Sequence, residues 1–547
     1  MLVNRFSLLG FALCLLLSSC GSVEEEKDPD FQIALENGYL AQEGYRRCMD
    51  FVKAWLDHQD PETGLIPRNL KESKDLWNAK DAAADNYPFM VLTAAILDRE
   101  LYEGKMREIL KTEQTLTNRL DRLPDDWSFS KQDFVRETID KEEIIFGASE
   151  YIKDGLLPLT EYIGETAWSA RMIDLLDDIW KHADKSTPFG DIPSYNVEVN
   201  GELMQALSRV YWMTGEQKYL DWAIRLADFY LLGENHPSRD QELLRLRDHG
   251  CEIVSGLCEV YVSTAFANPE KREAYKAPMM EMLDRILEVG TNEHGLFYNQ
   301  INPITGEILD EGIADTWGYT YNGYYSVYML DSVERYREAL LHAFDHLHNY
   351  EYYDWERGSA DGYADAIESA LNLYNREPVR QAEEWINSEI QVMWSMQDSA
   401  HRSGTEAYRG TGIIEGWHGD GNFARTSIMY SLWKTQGTTL HPWSEKVYHG
   451  AMATDRGIKI AIFPEEAWEG RLAFDFPRHS EIFNLPMDYP RINQLPEWFT
   501  VENEELYDLI FINTGEKKRL SGSALREGIP VNAAINEPVH IEVRRGF

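Results

Sequence analysis

The chain has 547 residues, 93 acidic against 53 basic side chains and a formal net charge of −40. That balance excludes nucleic acid as a partner, which needs a basic footprint, and disfavours a long polyanion held by bulk charge; a few local arginines still suffice for an acidic ligand. With 43% hydrophobic residues the chain can bury a large core, and its length exceeds one compact domain.

Residues 1–20 read as an export signal: Arg5, an apolar run over 6–17, then Leu17-Ser18-Ser19-Cys20. The run is too short to span a bilayer. Leu-Ser-Ser-Cys resembles a bacterial lipobox, which implies that Cys20 carries a lipid anchor, with the acidic stretch 21–34 as tether. Acidic residues just after the cysteine are similar to the surface-export signal of Bacteroidetes lipoproteins. The outer-membrane cell surface and the periplasm are therefore the expected locations, with the membrane touched only through the anchor. Beyond Cys14 and Cys20, Cys48, Cys251 and Cys258 have neither even count nor CxxC spacing, so they predict buried thiols rather than disulfides or zinc.

From the tether onward one unit recurs: a helical stretch, a segment rich in Gly, Asp, Trp and Asn, and a second helical stretch. The first pair is 37–58 and 89–97, joined through Trp77-Asn78 and Asp81 to Asn86. The others are 102–120 with 146–163, 166–183 with 198–213, 217–232 with 249–264, 271–288 with 320–332, 333–349 with 361–375, and 377–396 with 421–436. The first helix of each pair is amphipathic and the second is apolar almost all round, so the second must be buried. The pattern predicts an inner ring within an outer ring, with every polar-aromatic segment at the same face.

The aromatic stretch 315–325 holds a carboxylate, an indole, four phenols and two glycines. Flat rings beside hydrogen-bonding groups, on backbone that a ligand can approach, suit a sugar. Trp77, Trp317, Trp355 and Trp417 occupy corresponding places and predict stacking subsites. After about residue 456 the texture turns β-like over 457–463, 507–512 and 538–543, predicting a small sandwich over 451–547 that buttresses the ring. The Pro-rich stretch 484–496 reads as surface wrapping.

The alternation over 35–450 resembles the α/α toroid of the six-hairpin glycosidase superfamily, which includes unsaturated glucuronyl hydrolases and many polysaccharide lyases. The segments Gly358 to Glu368 and Trp417 to Thr426 are similar to ones in polysaccharide-utilisation lipoproteins, an oligosaccharide dehydratase among the relatives considered. The resemblance implies a mainly α fold, an (α/α)6 or (α/α)7 toroid with a small C-terminal β-sandwich-like domain, and a carbohydrate-active enzyme. It assigns no residue.

Glycoside hydrolysis needs two carboxyl groups, one of them protonated. The site face offers Asp81, Asp85, Asp315, Asp361, Asp365, Glu368, Glu415 and Asp420, many of which serve as helix caps. Asp85 and Asp315 rank first, because apolar neighbours raise a carboxyl pKa. Elimination needs a base and a group that stabilises an enolate. His249 with Arg247, and His418 with Arg425, fit that need, and Tyr321 is a candidate proton donor. Expected substrate contacts are Trp77, Asn78, Arg247, Trp317, Tyr319, Asp361, Trp417, Asn422 and Arg425, the arginines pointing to uronic-acid sugars. His342, His346 and His348 fall on an outer helix without an HExxH, and there is no P-loop, GxGxxG or GxSxG, so no metal or cofactor is expected. The expected activity is hydrolysis of uronic-acid-containing oligosaccharides or polysaccharides. A lyase or dehydratase on the same substrates is the alternative, and a non-catalytic glycan-binding lipoprotein the further one.

Overall fold

The computed structural model describes residues 28–398, 408 and 410–546. The export signal, Cys20 and residues 21–27 of the tether lie outside the described residues. No described helix is long and apolar enough to cross a membrane.

Among the described residues, seven helical hairpins close into a ring. The outer helices are Pro29–Leu56, Arg107–Leu116, Ala167–Lys181, Gln217–Leu231, Pro269–Gly290, Glu334–His346 and Arg380–Asp398. The inner ones are Tyr87–Leu97, Leu157–Ile163, Val197–Thr214, Glu252–Ala267, Trp317–Asp331, Ala360–Tyr374 and Asn422–Lys434. The inner helices pack in succession, the second reaching Val197–Thr214 through the Lys141–Glu150 and Tyr151–Leu156 segments that precede it, and Asn422–Lys434 closes the ring against Tyr87–Leu97. The toroid is therefore (α/α)7.

Burial explains the two rings. Every residue from Trp317 to Val327 is buried, as an inner helix requires, whereas Arg107–Leu116 buries only Ile109, Leu110 and Glu113 along one stripe. Two inner helices have a widened, π-type segment, Ala79–Asn86 and Tyr151–Leu156. Such turns carry an extra residue per turn and are frequent at functional sites. Here they carry Asp81, Asp85, Lys153 and Asp154. Cys48, Cys251 and Cys258 are buried and unpaired.

The first outer helix begins at Pro29 with Asp28 as its cap, so 29–34 are helix rather than tether. Lys459 of the C-terminal domain reaches both Asp28 and Asp30 at 2.6 Å, fixing this end.

The C-terminal domain is two antiparallel sheets. Five strands run in the order Val447–Thr454, Gly457–Pro464, Val539–Arg545, Leu506–Phe511, Glu516–Ser521, and three in the order Thr439–His441, Trp468–Ala473, Ile529–Ala533. A separate apolar core including Ile460, Leu472, Leu509 and Val543 lies between them. The domain sits on Pro29–Leu56, where two glycines let strand and helix backbones touch: a Cβ on Gly450 would lie 2.2 Å from the Ala34 carbonyl oxygen. Strand Val447–Thr454 crosses the expected boundary at 450/451.

The stretch read as surface wrapping instead enters the bore of the toroid. Tyr489 donates to Glu259, Arg491 to Glu161, Ser326 to the Pro490 carbonyl, Arg209 to the Ile492 carbonyl, and the Asn493 N–H to Glu368. Residues 489–496 are buried throughout. The correction has a polar cause: the inner helices carry charged side chains into the bore, and only a segment with free backbone groups and its own charges satisfies them there.

Candidate active site

The remaining opening of the bore is a cavity of about 560 Å³ at the face where the polar-aromatic segments lie. Asn493 forms part of its floor, so the cavity is closed at the bottom by the C-terminal segment.

Each wall comes from the start of an inner helix. Asn78 caps Ala79–Asn86 by accepting from the Ala82 N–H, and also donates to Asp81. Asp81 accepts from Arg68 Nε at 2.6 Å. One widened turn later, Asp85 lies 3.6 Å from His418 Nε2. Opposite, Asp361 accepts from Asn422 Nδ2 at 2.6 Å. At the floor Arg425 pairs with Asp365 at 2.6 Å and Glu368 at 2.7 Å, while the Tyr319 hydroxyl lies 2.9 Å and 2.8 Å from the same two carboxylates and donates its one proton between them. Lys153 donates to Asp154 at 2.6 Å and to Glu252, which also accepts from Gln205.

Thus Asn78, Asp85, His249, Tyr319, Asp361, Trp417, His418, Asn422 and Arg425 line one cavity. Six expected residues do not. Trp317 is 0% exposed and packs edge-on against Tyr321, Phe344 and Trp385; Trp77 is 2% exposed. Trp355 is likewise buried against Tyr353 and Trp385. These indoles fill the core, with no free face for a sugar. Tyr321 donates its hydroxyl to the Gly295 carbonyl at 2.6 Å, so it is a core bond and not a proton donor in the site. Asp315 is buried outside the cavity lining, accepting from the Asp248 N–H at 3.4 Å. Arg247 also does not line the cavity. Trp417 alone of the four tryptophans is exposed, at 75%, with the Arg68 guanidinium 5.2 Å from its ring centroid. Glu415 is tied down as well, accepting from the Leu70 N–H at 2.7 Å.

Sequence reasoning passed over Lys153, Asp154, Glu202, Glu252 and Asn493. A signal existed for the first two: adjacent opposite charges inside an otherwise apolar inner helix. Asn493 had none, because its place depends on the path of a distant segment.

Burial and charge set the protonation states. Desolvation pushes Asp85 up to about 8, with Asp154 and Asp361 nearby adding to the rise. Burial alone would lower His418, but Asp85, Asp81 and Asp361 outweigh it and lift it to about 10. Asp81 shares the same burial, yet His418, Arg68 and Asn78 hold it below the usual carboxylate value. Asp365 and Glu368 are raised by burial to about 6 and about 7, although Arg425 works against the rise. The cavity therefore holds protonated and ionised carboxyl groups side by side at neutral pH. His342 and His346 on the outer helix face the Glu293 and His342 carbonyls, and His348, in the turn Leu347–Tyr350 that follows it, faces the Asp345 carbonyl.

No protein-family model matches the chain, and no curated protein matches it. Among solved structures it is similar to a cellobiose 2-epimerase from Bacillus thermoamylovorans (12% identity, 56% of this chain and 87% of that chain, TM-score 0.39). It is similar to an unsaturated glucuronyl hydrolase from Bacillus sp. GL1 (11% identity, 55% and 88%, TM-score 0.36). It is also similar to a glycoside hydrolase family 76 mannosidase from Bacteroides thetaiotaomicron (12% identity, 71% and 98%, TM-score 0.40).

Proposed function

We propose that the protein is a carbohydrate-active enzyme, a glycoside hydrolase that takes an oligosaccharide or the end of a glycan chain into the closed bore. The observation that carries this reading is a blind cavity whose walls bring together a proton-holding carboxyl, Asp85, and ionised Asp81, with further carboxyl groups facing them. Cleavage of a glycosidic bond needs such a pair, one group to protonate the leaving oxygen and another to assist water or the sugar. Asp85 is the general acid in this reading. Trp417 at the rim offers one ring face to a sugar while Arg68 covers the other. The closed floor favours end-on entry.

A neutral glycan fits the lining better than a uronic acid. Twelve carboxyl groups line the cavity against six basic side chains, and Arg425 is already engaged by Asp365 and Glu368. A uronic-acid substrate is the second reading. It rests on Lys153 and Arg425 lying together at the floor beside Tyr319, a grouping that also suits elimination. The sequence around Cys20 supports a lipid-anchored protein at the outer-membrane surface or in the periplasm. Cys20→Ala is then expected to move it from the membrane to the soluble fraction.

The test is mass spectrometry of products from neutral and uronic-acid oligosaccharides. A gain of one water across the fragments is expected. Fragments with no net water mean a lyase, and an intact chain lighter by one water means a dehydratase. Retention without any conversion means a binding protein.

A further inference from the structure

One corner of the cavity wall is left over by the chemistry above. Glu150 ends the helix Lys141–Glu150, Glu198 and Glu202 lie one turn apart on Val197–Thr214, and His249 stands in the turn before Glu252–Ala267. One ligand atom from each of these four residues lies within 4.8 Å of the others.

Glu202 is the unusual member. It is 0% exposed, and neither carboxylate oxygen has a hydrogen-bond partner. A buried carboxylate without hydrogen bonds is costly, so such a group calls for a counter-charge. Among the described residues, the basic group within ion-pair reach is His249, with Nδ1 at 3.8 Å from Glu202 Oε1. The nearby ammonium of Lys153 is spent elsewhere, on Asp154 and Glu252.

The imidazole is oriented as a ligand would be. Its Nδ1 faces Glu202, while Nε2 lies 3.5 Å from Asp248 Oδ1. A metal-bound histidine commonly gives its second ring N–H to a carboxylate, which fixes the ring. Asp154 Oδ2, also buried and without a hydrogen bond, lies 3.7 Å from the same Nδ1.

We propose that Glu150, Glu198, Glu202 and His249 bind one divalent cation of the first transition row, such as Mn²⁺ or Zn²⁺. Three carboxylates around one imidazole suit those ions, whereas Ca²⁺ and Mg²⁺ take oxygen ligands. The cation supplies the counter-charge that Glu202 lacks, behind a cavity wall to which Glu150, Glu198 and His249 contribute. The site stands whether or not the hydrolase reading holds, because its test uses no substrate.

The experiment is isothermal titration of the chelator-treated full chain with MnCl₂ and with ZnCl₂, together with thermal melts in either salt. Binding of one ion per chain is expected, with a rise in melting temperature on addition. Glu202→Gln and, separately, His249→Gln should each weaken binding at least tenfold and abolish the rise, with circular dichroism confirming the fold. Glu202→Gln should melt no lower than the metal-free parent, since it removes an unsatisfied charge. No stoichiometric binding by the parent chain, or unchanged binding by both folded variants, overturns the site.

Discussion

Asn493 Nδ2 donates to Asp154 Oδ1 at 3.1 Å across 339 positions of sequence, tying the C-terminal segment to an inner helix at the cavity floor. The same side chain accepts from Arg425 at 3.1 Å, and its Oδ1 lies 3.3 Å from the Tyr319 hydroxyl. One amide thus orients an acid, a guanidinium and a phenol that face the cavity.

Asn493 has a positive φ of 60°, which glycine adopts without strain. Asn493→Gly therefore removes the side chain while keeping the turn. Hydrogen bonds to charged groups contribute about 1.5–3 kcal/mol each, so a loss of that order is expected in denaturant unfolding. In the same variant kcat/KM should fall at least tenfold. Unchanged kinetics in a destabilised variant would make the amide structural only.

Asp85→Asn should lower kcat by about 10²–10⁴-fold, the usual contribution of a general acid. In the parent enzyme Asp85 keeps its proton below a pKa of about 8, so kcat should fall as pH rises through that value. The variant should lose that alkaline limb. A pH–rate profile for both proteins decides it.

The tryptophans separate core from site. Trp317→Ala opens a cavity in the core and should cost about 3–5 kcal/mol in unfolding free energy. Trp417→Ala, at an exposed position, should leave unfolding nearly unchanged and raise KM for longer oligosaccharides. Equal effects of the two on KM would contradict the placement.

His449 joins the sandwich to the toroid, its Nε2 lying 2.8 Å from the Thr438 hydroxyl. Burial, with His441 adding to it, pushes its pKa from 6.5 down to about 3. The unfolded chain therefore takes a proton near 6.5 while the folded one does not, so this contribution is complete above 6.5 and is lost as pH falls towards 3. The slope is about 1.4 kcal/mol per pH unit. Melting temperatures between pH 7 and 4 should drop less in His449→Gln than in the parent.

Sequence by itself determined the hairpins and their faces, because burial leaves a local periodic trace: the all-apolar stretch at Trp317 and the one-sided stripe at Ile109 are legible without coordinates. It also brought Asp85, His418, Asn422 and Arg425 to one end, since each precedes or opens an inner helix. It did not tell a ring that faces the cavity from one that faces the core. Trp317 and Tyr319 are two residues apart on one helix, and about 100° of rotation per residue sends the first into the core and the second to the floor. The closure at seven hairpins, the insertion of residues 489–496 into the bore and the pairing of Lys153 with Asp154 and Glu252 were decided only by the tertiary structure. Those features depend on which distant polar groups meet when the ring closes, and a buried charge finds its partner through space rather than along the chain.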